Sequence, residues 1–240
     1  MIRRMFLKSA GLATLGVSAV ASAPHAAEQA DQAQRPAVFL AGDGPLAQAI
    51  AAALGGKWNV HIGTADASTP EALEGVDAVV NLNAPPAGAA DAALIDYRTR
   101  GTYNLLQAAA RRGVRQLVHL SSIDIMKGYD DRYQVLEDWR PVPGGDAEEL
   151  SLYLAEFTCR EFAREGKLNV ALLRLGNVAA SDVAGATARI LEAQSARDGS
   201  GLGAWSVFHI VSEAESGRFP IARAKRLLGY VPKGGSESQP

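Results

Sequence analysis

Short apolar runs alternate along this chain with longer stretches of helical period. Ala37-Val38-Phe39-Leu40-Ala41 is five apolar residues ending at Gly42-Asp43-Gly44, the pattern of a buried strand followed by a turn. A helix is predicted over 45–54, with Pro45 in its first turn and Gly55 at its end. Further strands are predicted over 58–63, 78–82, 116–121 and 170–174, and a weaker one over 207–211. Helices are predicted over 91–112, closed by Gly113, and over 146–165, closed by Gly166. The second of these starts with Asp146 and Glu149 at capping-box spacing. Beyond Gly176 the pattern loosens into helices over 181–196 and 221–228, around a flexible turn at 198–203. Strands alternating with helices in this way predict an α/β fold, a Rossmann-like doubly wound parallel sheet, with a small C-terminal cap from about 179.

The first 27 residues follow different rules. They contain no acid, carry Arg3, Arg4 and Lys8, and continue as small apolar residues from Ala10 to Ala23. That run is about 14 residues long, enough for a signal-peptide core and short of the ~20 that span a bilayer. Arg3-Arg4-Met5-Phe6-Leu7-Lys8 closely resembles the twin-arginine export motif, with Ile2 where Ser or Thr is usual. The resemblance implies export of a folded protein to the periplasm by the twin-arginine machinery. Cleavage after Ala23 or near Ala27, and retention as an uncleaved anchor, stay open. Residues 28–35 read as a linker, 36–232 as the folded domain and 233–240 as a disordered tail.

Charge and composition narrow the chemistry. The net charge is −2, falling to −5 without residues 1–27, and no Lys/Arg cluster follows the first eight residues, so nucleic acid is not an expected partner. The single Cys159 excludes an internal disulfide, and four scattered histidines form no metal constellation. Gly42-x-Gly44-x-x-Ala47 between the first strand and helix fits the dinucleotide fingerprint. Gly42 permits the turn, and Gly44 lets backbone approach a pyrophosphate at the helix N-terminus. Asp66 stands near the spacing of the acid that holds ribose hydroxyls, and is equally suited to be a turn residue. No Arg or Lys follows that strand closely, which favours NAD over NADP and leaves NADP open.

Five segments together resemble the NAD-dependent sugar epimerase/dehydratase group of extended short-chain dehydrogenases, most closely its uronate dehydrogenase-like branch. They are Gly75-Val76-Asp77-Ala78-Val79-Val80-Asn81-Leu82, Gly101-Thr102-Tyr103-Asn104-Leu105-Leu106-Gln107-Ala108-Ala109, Gly113-Val114-Arg115-Gln116-Leu117-Val118-His119-Leu120-Ser121-Ser122, Leu173-Arg174-Leu175-Gly176-Asn177-Val178 and Ala224-Lys225-Arg226-Leu227-Leu228-Gly229-Tyr230-Val231-Pro232. The resemblance implies a nicotinamide cofactor, a sugar or uronate substrate, and catalysis by a hydroxyl residue, a Tyr and a Lys four residues after it; a homodimer is left open. Ser122 aligns with the hydroxyl residue, Tyr153 with the acid/base, Glu161 with an acid eight residues on, and Asp124 with an acid of sugar dehydratases. The lysine position is Phe157, whose ring is expected to fill the lysine's place. Arg98 stands where the family's long helix has Asn, and little chain remains between Gly63 and Glu71 for the adenine side of the pocket. Two functions follow: an exported oxidoreductase or epimerase, or a degenerate member that binds without turnover.

Overall fold

A computed structural model describes residues 35–64, 70–195 and 202–233. The export motif and Asp66 therefore lie outside the described residues. Six strands form one wholly parallel sheet: β1 (Ala37–Ala41), β2 (Asn59–Gly63), β3 (Ala78–Asn81), β4 (Gln116–Ser122), β5 (Asn169–Leu175) and β6 (Trp205–Ile210), in spatial order β2-β1-β3-β4-β5-β6. The helices are α1 (Gly44–Leu54), α2 (Asp91–Asp96), α3 (Thr102–Arg111), α4 (Ala147–Arg164), α5 (Ala180–Ser195) and α6 (Ala222–Leu228).

Alternation along each strand divides the core between the two faces. Val38, Leu40, Val80, Val118 and Leu173 pack toward α1 and α5, with Ile50, Leu54, Ile190 and Leu191 among their partners. Phe39, Ala41, Val79, Leu117 and Val170 pack toward α3 and α4, with Leu105, Leu106, Ala109, Cys159 and Phe162. The sheet is thus wound on both faces. The chain from 180 on builds α5 and β6 into these layers, and only 211–233, carrying α6, continues beyond the last strand.

Two local departures from the sequence pattern bear on the site. The helix predicted over 91–112 is interrupted by a π-helical turn, Tyr97–Gly101, between α2 and α3. Such turns shift the register of the side chains that follow, and here Arg98 is buried within one. At the start of α4, Asp146 accepts a hydrogen bond from the Glu149 amide at 2.9 Å, but the Glu149 carboxylate accepts from the Gly144 amide at 2.6 Å. The capping box is therefore opened by two residues.

Candidate functional site

After β1 the chain forms β2 on one side and then crosses to β3 on the other, so the order reverses at β1. In open parallel sheets the crevice at such a switch point, outside the carboxyl ends of the strands, is where ligands bind. A cleft of about 510 Å³ lies there, lined by Gly42, Asp43, Thr64, residues 84–87, Tyr97 and Asn104 among others. Gly42 has φ +138° and donates its amide to the Gly63 carbonyl at 2.7 Å. A Cβ on Gly42 would stand 2.9 Å from the Leu82 Cβ, so the loop can pack against the exit of β3 only as glycine. Gly44, φ +86°, is different: nothing lies within 4 Å of where its Cβ would be. Its bare backbone opens α1, whose first amides have no intrahelical acceptor. Ala47 is fully buried and holds α1 close to the sheet. The loop thus leaves open space beside its backbone at the start of α1. On the adenine side, β2 is the edge strand, and among the described residues no strand lies beyond it.

Tyr97 is a wall residue that the sequence did not single out. Burial raises its phenol pKa, the Asp43 carboxylate adds to this and Arg98 opposes it, so the hydroxyl keeps its proton and remains a donor. Its only sequence signal is a place four residues before Gly101-Thr102.

At the carboxyl end of β4 the structure brings Ser122 and Asp124 together. The Ser122 hydroxyl donates to Asp124 Oδ2 at 2.7 Å and accepts from the Asp124 amide at 3.1 Å. Lys127 Nζ lies 2.5 Å from Asp124 Oδ1. Burial alone would raise the Asp124 pKa, but hydrogen bonds from Lys127 and Ser122, with the Lys127 charge, outweigh it and hold the carboxyl below its ordinary value. Asp124 is therefore a firmly ionised acceptor and a weak base.

Behind the cleft is a buried polar cluster. Asn81 Nδ2 reaches His119 Nδ1 at 3.2 Å and Thr102 Oγ1 at 3.4 Å, while Asn81 Oδ1 accepts from the Asn83 amide at 3.0 Å. Burial, reinforced by Arg98, lowers the His119 pKa to about 3. The ring is neutral, accepts at Nδ1, and carries its proton on an Nε2 that has no partner. Asn83, with φ +53° and 5 % exposure, also has both side-chain polar atoms unpartnered. Arg98 joins the π turn to α4: its guanidinium lies 2.7 Å from the Glu148 carboxylate, and donates to the Glu148 carbonyl and the Ser151 hydroxyl at 3.3 Å.

Tyr153 lines a cleft that Ser122 does not. On α4 the sheet side carries Leu152, Ala155 and Cys159, all buried. Tyr153 is one residue further, about 100° around the helix, and lines a second cleft of about 240 Å³ beside β6. Phe157 is turned further out. It is 43 % exposed, with the Arg160 guanidinium 5.2 Å above its ring, so it does not fill a buried lysine site. Glu161 lies near the surface and accepts from Arg164 at 2.7 Å. The acid of α4 that meets β5 is Glu156, whose carboxylate takes Arg174 Nε at 3.1 Å and Nη2 at 2.9 Å, both side chains buried. Cys159 is fully buried, and burial with the Glu156 charge pushes its thiol pKa up, as befits a core residue rather than a nucleophile.

The profile of the NAD dependent epimerase/dehydratase family matches residues 7–199. No curated protein matches the chain. Among solved structures, a mutated uronate dehydrogenase is similar at TM-score 0.67 and 18% identity, covering 84% of this chain and 83% of that one. UDP-N-acetylglucosamine 4-epimerase from Bacillus cereus is similar at TM-score 0.66 and 18% identity, covering 82% and 94%. UDP-glucuronic acid 4-epimerase from Bacillus cereus, in complex with UDP-glucuronic acid and NAD, gives TM-score 0.65 and 13% identity, again covering 82% and 94%. At these identities the likeness is one of fold.

Proposed function

The chain belongs to the NAD dependent epimerase/dehydratase family, and from that premise we propose that it is an exported member that holds a nicotinamide dinucleotide and a sugar or uronate with little or no turnover. The observation that carries the binding half is Gly44, whose missing side chain leaves the start of α1 open to a pyrophosphate. No Arg or Lys follows β2 closely in the chain, which supports NAD over NADP. A bound nicotinamide would take hydride from a carbon that bears a hydroxyl, leaving a carbonyl, or return it to that carbonyl carbon. This chain supplies the Ser122–Asp124 pair, in which the ionised Asp124 fixes the Ser122 proton, the Asp124 amide takes one lone pair of the Ser122 oxygen and the second is left to accept from a sugar hydroxyl.

The other half rests on α4. Anchoring the Tyr-x3-Lys-x3-Glu spacing on Glu156, the acid that meets Arg174, puts Glu148 at the tyrosine position and Leu152 at the lysine position. Leu152 brings no ammonium and the Glu148 carboxylate is taken by Arg98 at 2.7 Å, so the Tyr–Lys couple, whose acid/base work is worth roughly 10²–10⁴ in rate, has no counterpart at these positions. Asp124, held ionised, is a poor substitute.

Binding is tested by calorimetry with NAD+, NADH and NADP+. Gly44→Val should lower dinucleotide affinity at least about 100-fold, since a side chain then occupies the phosphate position. Gly56→Val is the matched control: it has φ +81° and open space at the far end of α1, so it carries the same backbone strain. Equal affinity in wild type and Gly44→Val removes the cofactor. Export is supported by the arginine pair of residues 3 and 4. Arg3→Lys with Arg4→Lys should leave folded protein in the cytoplasm, and an undiminished periplasmic yield refutes the twin-arginine route.

A further inference from the structure

The last strand of the sheet is only partly covered on the α4 side. Between α4 and β6 the second cleft, about 240 Å³, remains open, bounded by Tyr153, Phe157, Trp205, Arg223 and the strap 137–141. It shares no lining residue with the glycine-loop cleft.

Two of its charged groups, Arg223 and Glu137, keep unpartnered atoms. The Arg223 guanidinium lies 5.3 Å from the Phe208 ring, makes one 3.4 Å contact from Nη2 to Ser206 Oγ, and leaves Nε buried without a partner. No carboxylate among the described residues pairs with it. Across the cleft Glu137 Oε1 is also buried without a partner, and burial pushes its carboxyl pKa up although Arg223 and Arg174 pull the other way. The floor adds no demand of its own, because Arg174 and Glu156 satisfy each other and Arg174 Nη1 donates to the Glu137 carbonyl at 3.2 Å. Arginines 140, 160, 174 and 223 outnumber the acids 137, 138 and 156 by one. A partly buried guanidinium with unmade hydrogen bonds is costly, and a ligand oxygen would relieve that cost.

Aromatic side chains make up much of the remaining lining. Phe157 is exposed under Arg160, and Trp205 and Trp139 line the same space. At about 30 Å³ per water, the cleft has room for roughly eight waters, or one six-membered ring with a small substituent.

We propose that this cleft binds a small aromatic carboxylate, with the carboxylate on Arg223 and the ring against Phe157 and Trp205. A sugar acid offers the same carboxylate, and its hydroxyls would find acceptors at Glu137 and Asp138, so D-glucuronate is the competing probe in the test. The proposal is independent of the dinucleotide reading.

The test uses the full chain with benzoate and D-glucuronate as probes, read by calorimetry and by thermal shift. Benzoate should bind saturably, with Arg223→Met weakening it at least about 10-fold through loss of the charged hydrogen bonds. Phe157→Ala, at an exposed position, should weaken it roughly 3- to 10-fold through loss of ring contact. NAD+ should neither compete with benzoate nor lose affinity in these variants. If Arg223→Met does not fold, Phe157→Ala decides the matter. Absence of saturation up to about 10 mM, affinity unchanged in the variants, or competition with NAD+ would overturn the proposal. So would tighter, Arg223-dependent binding of D-glucuronate.

Discussion

Two histidines buried in the sheet, one on β4 and one on β6, should make this fold sensitive to mild acid. His119 and His209 are both 0 % exposed. Burial, with Arg98 beside His119 and Arg174 beside His209, lowers each pKa to about 3, against an ordinary value near 6.5; the Pro220 carbonyl opposes this weakly at His209. The folded state therefore keeps both rings neutral, while the unfolded chain takes up a proton at each once the pH falls below about 6.5. The stability they permit is full above that pH and declines as pH drops toward 3. Moving from about pH 7.5 to about pH 5 should cost roughly 2 kcal/mol per histidine, or about 4 kcal/mol for the pair. Against a typical total of about 5–15 kcal/mol, that is a large fraction. Glu137 works in the opposite sense, because its raised pKa lets the folded state bind the proton first, and it softens the acid end of the window. Asp124, with its lowered pKa, loses its contribution only at lower pH. Urea melts followed by tryptophan fluorescence at the two pH values measure the difference. His209→Phe isolates one half of it: neither ring nitrogen of His209 makes a well-formed hydrogen bond, and the ring packs edge-on against Phe219 at 5.9 Å. The variant should be about 2 kcal/mol more stable than wild type near pH 5 and close to it near pH 7.5. Equal wild-type stability at both pH values, or a His209→Phe variant with the full wild-type slope, would refute the reasoning.

Other outcomes follow from α4. Glu156→Gln leaves the Arg174 guanidinium buried without its counter-ion and should cost about 3–5 kcal/mol in urea melts, whereas pairing Glu156→Leu with Arg174→Met should recover most of it; a loss under ~1 kcal/mol from the single change would contradict the pair's burial. Phe157→Lys should change stability by no more than about 0.5 kcal/mol and confer no dinucleotide-dependent oxidation of glucuronate, because the side chain points outward. A gain of turnover that Tyr153→Phe then abolishes would show that Tyr153 reaches the cofactor after all.

Periodicity along the chain was enough for the order of elements, the parallel sheet and the glycine loop, because burial on both faces writes itself as continuous apolar runs and a tight turn writes itself as glycine. Strand β1 coincides with 37–41, and the other element ends move by at most two residues from the sequence pattern, apart from the π turn and a β6 shifted toward Trp205. The Ser122–Asp124 contact is likewise local, between residues two apart at a strand end. What tertiary packing alone decided was the rotation of α4. A helix of 18 residues offers several acids and aromatics at acceptable spacings, and both Glu156 and Glu161 suit a place eight residues after a tyrosine or its substitute. The choice is made by β5, where a buried Arg174 must find a carboxylate; Glu156 answers it, and Tyr153 and Phe157 are carried away from the glycine-loop cleft as a result. The π turn that buries Arg98 against Glu148 and Ser151 is invisible in sequence for the same reason, since its extra residue is stabilised by contacts 50 positions away. Local spacing records which face a helix buries; which of its side chains meets which strand is settled only when both are in place.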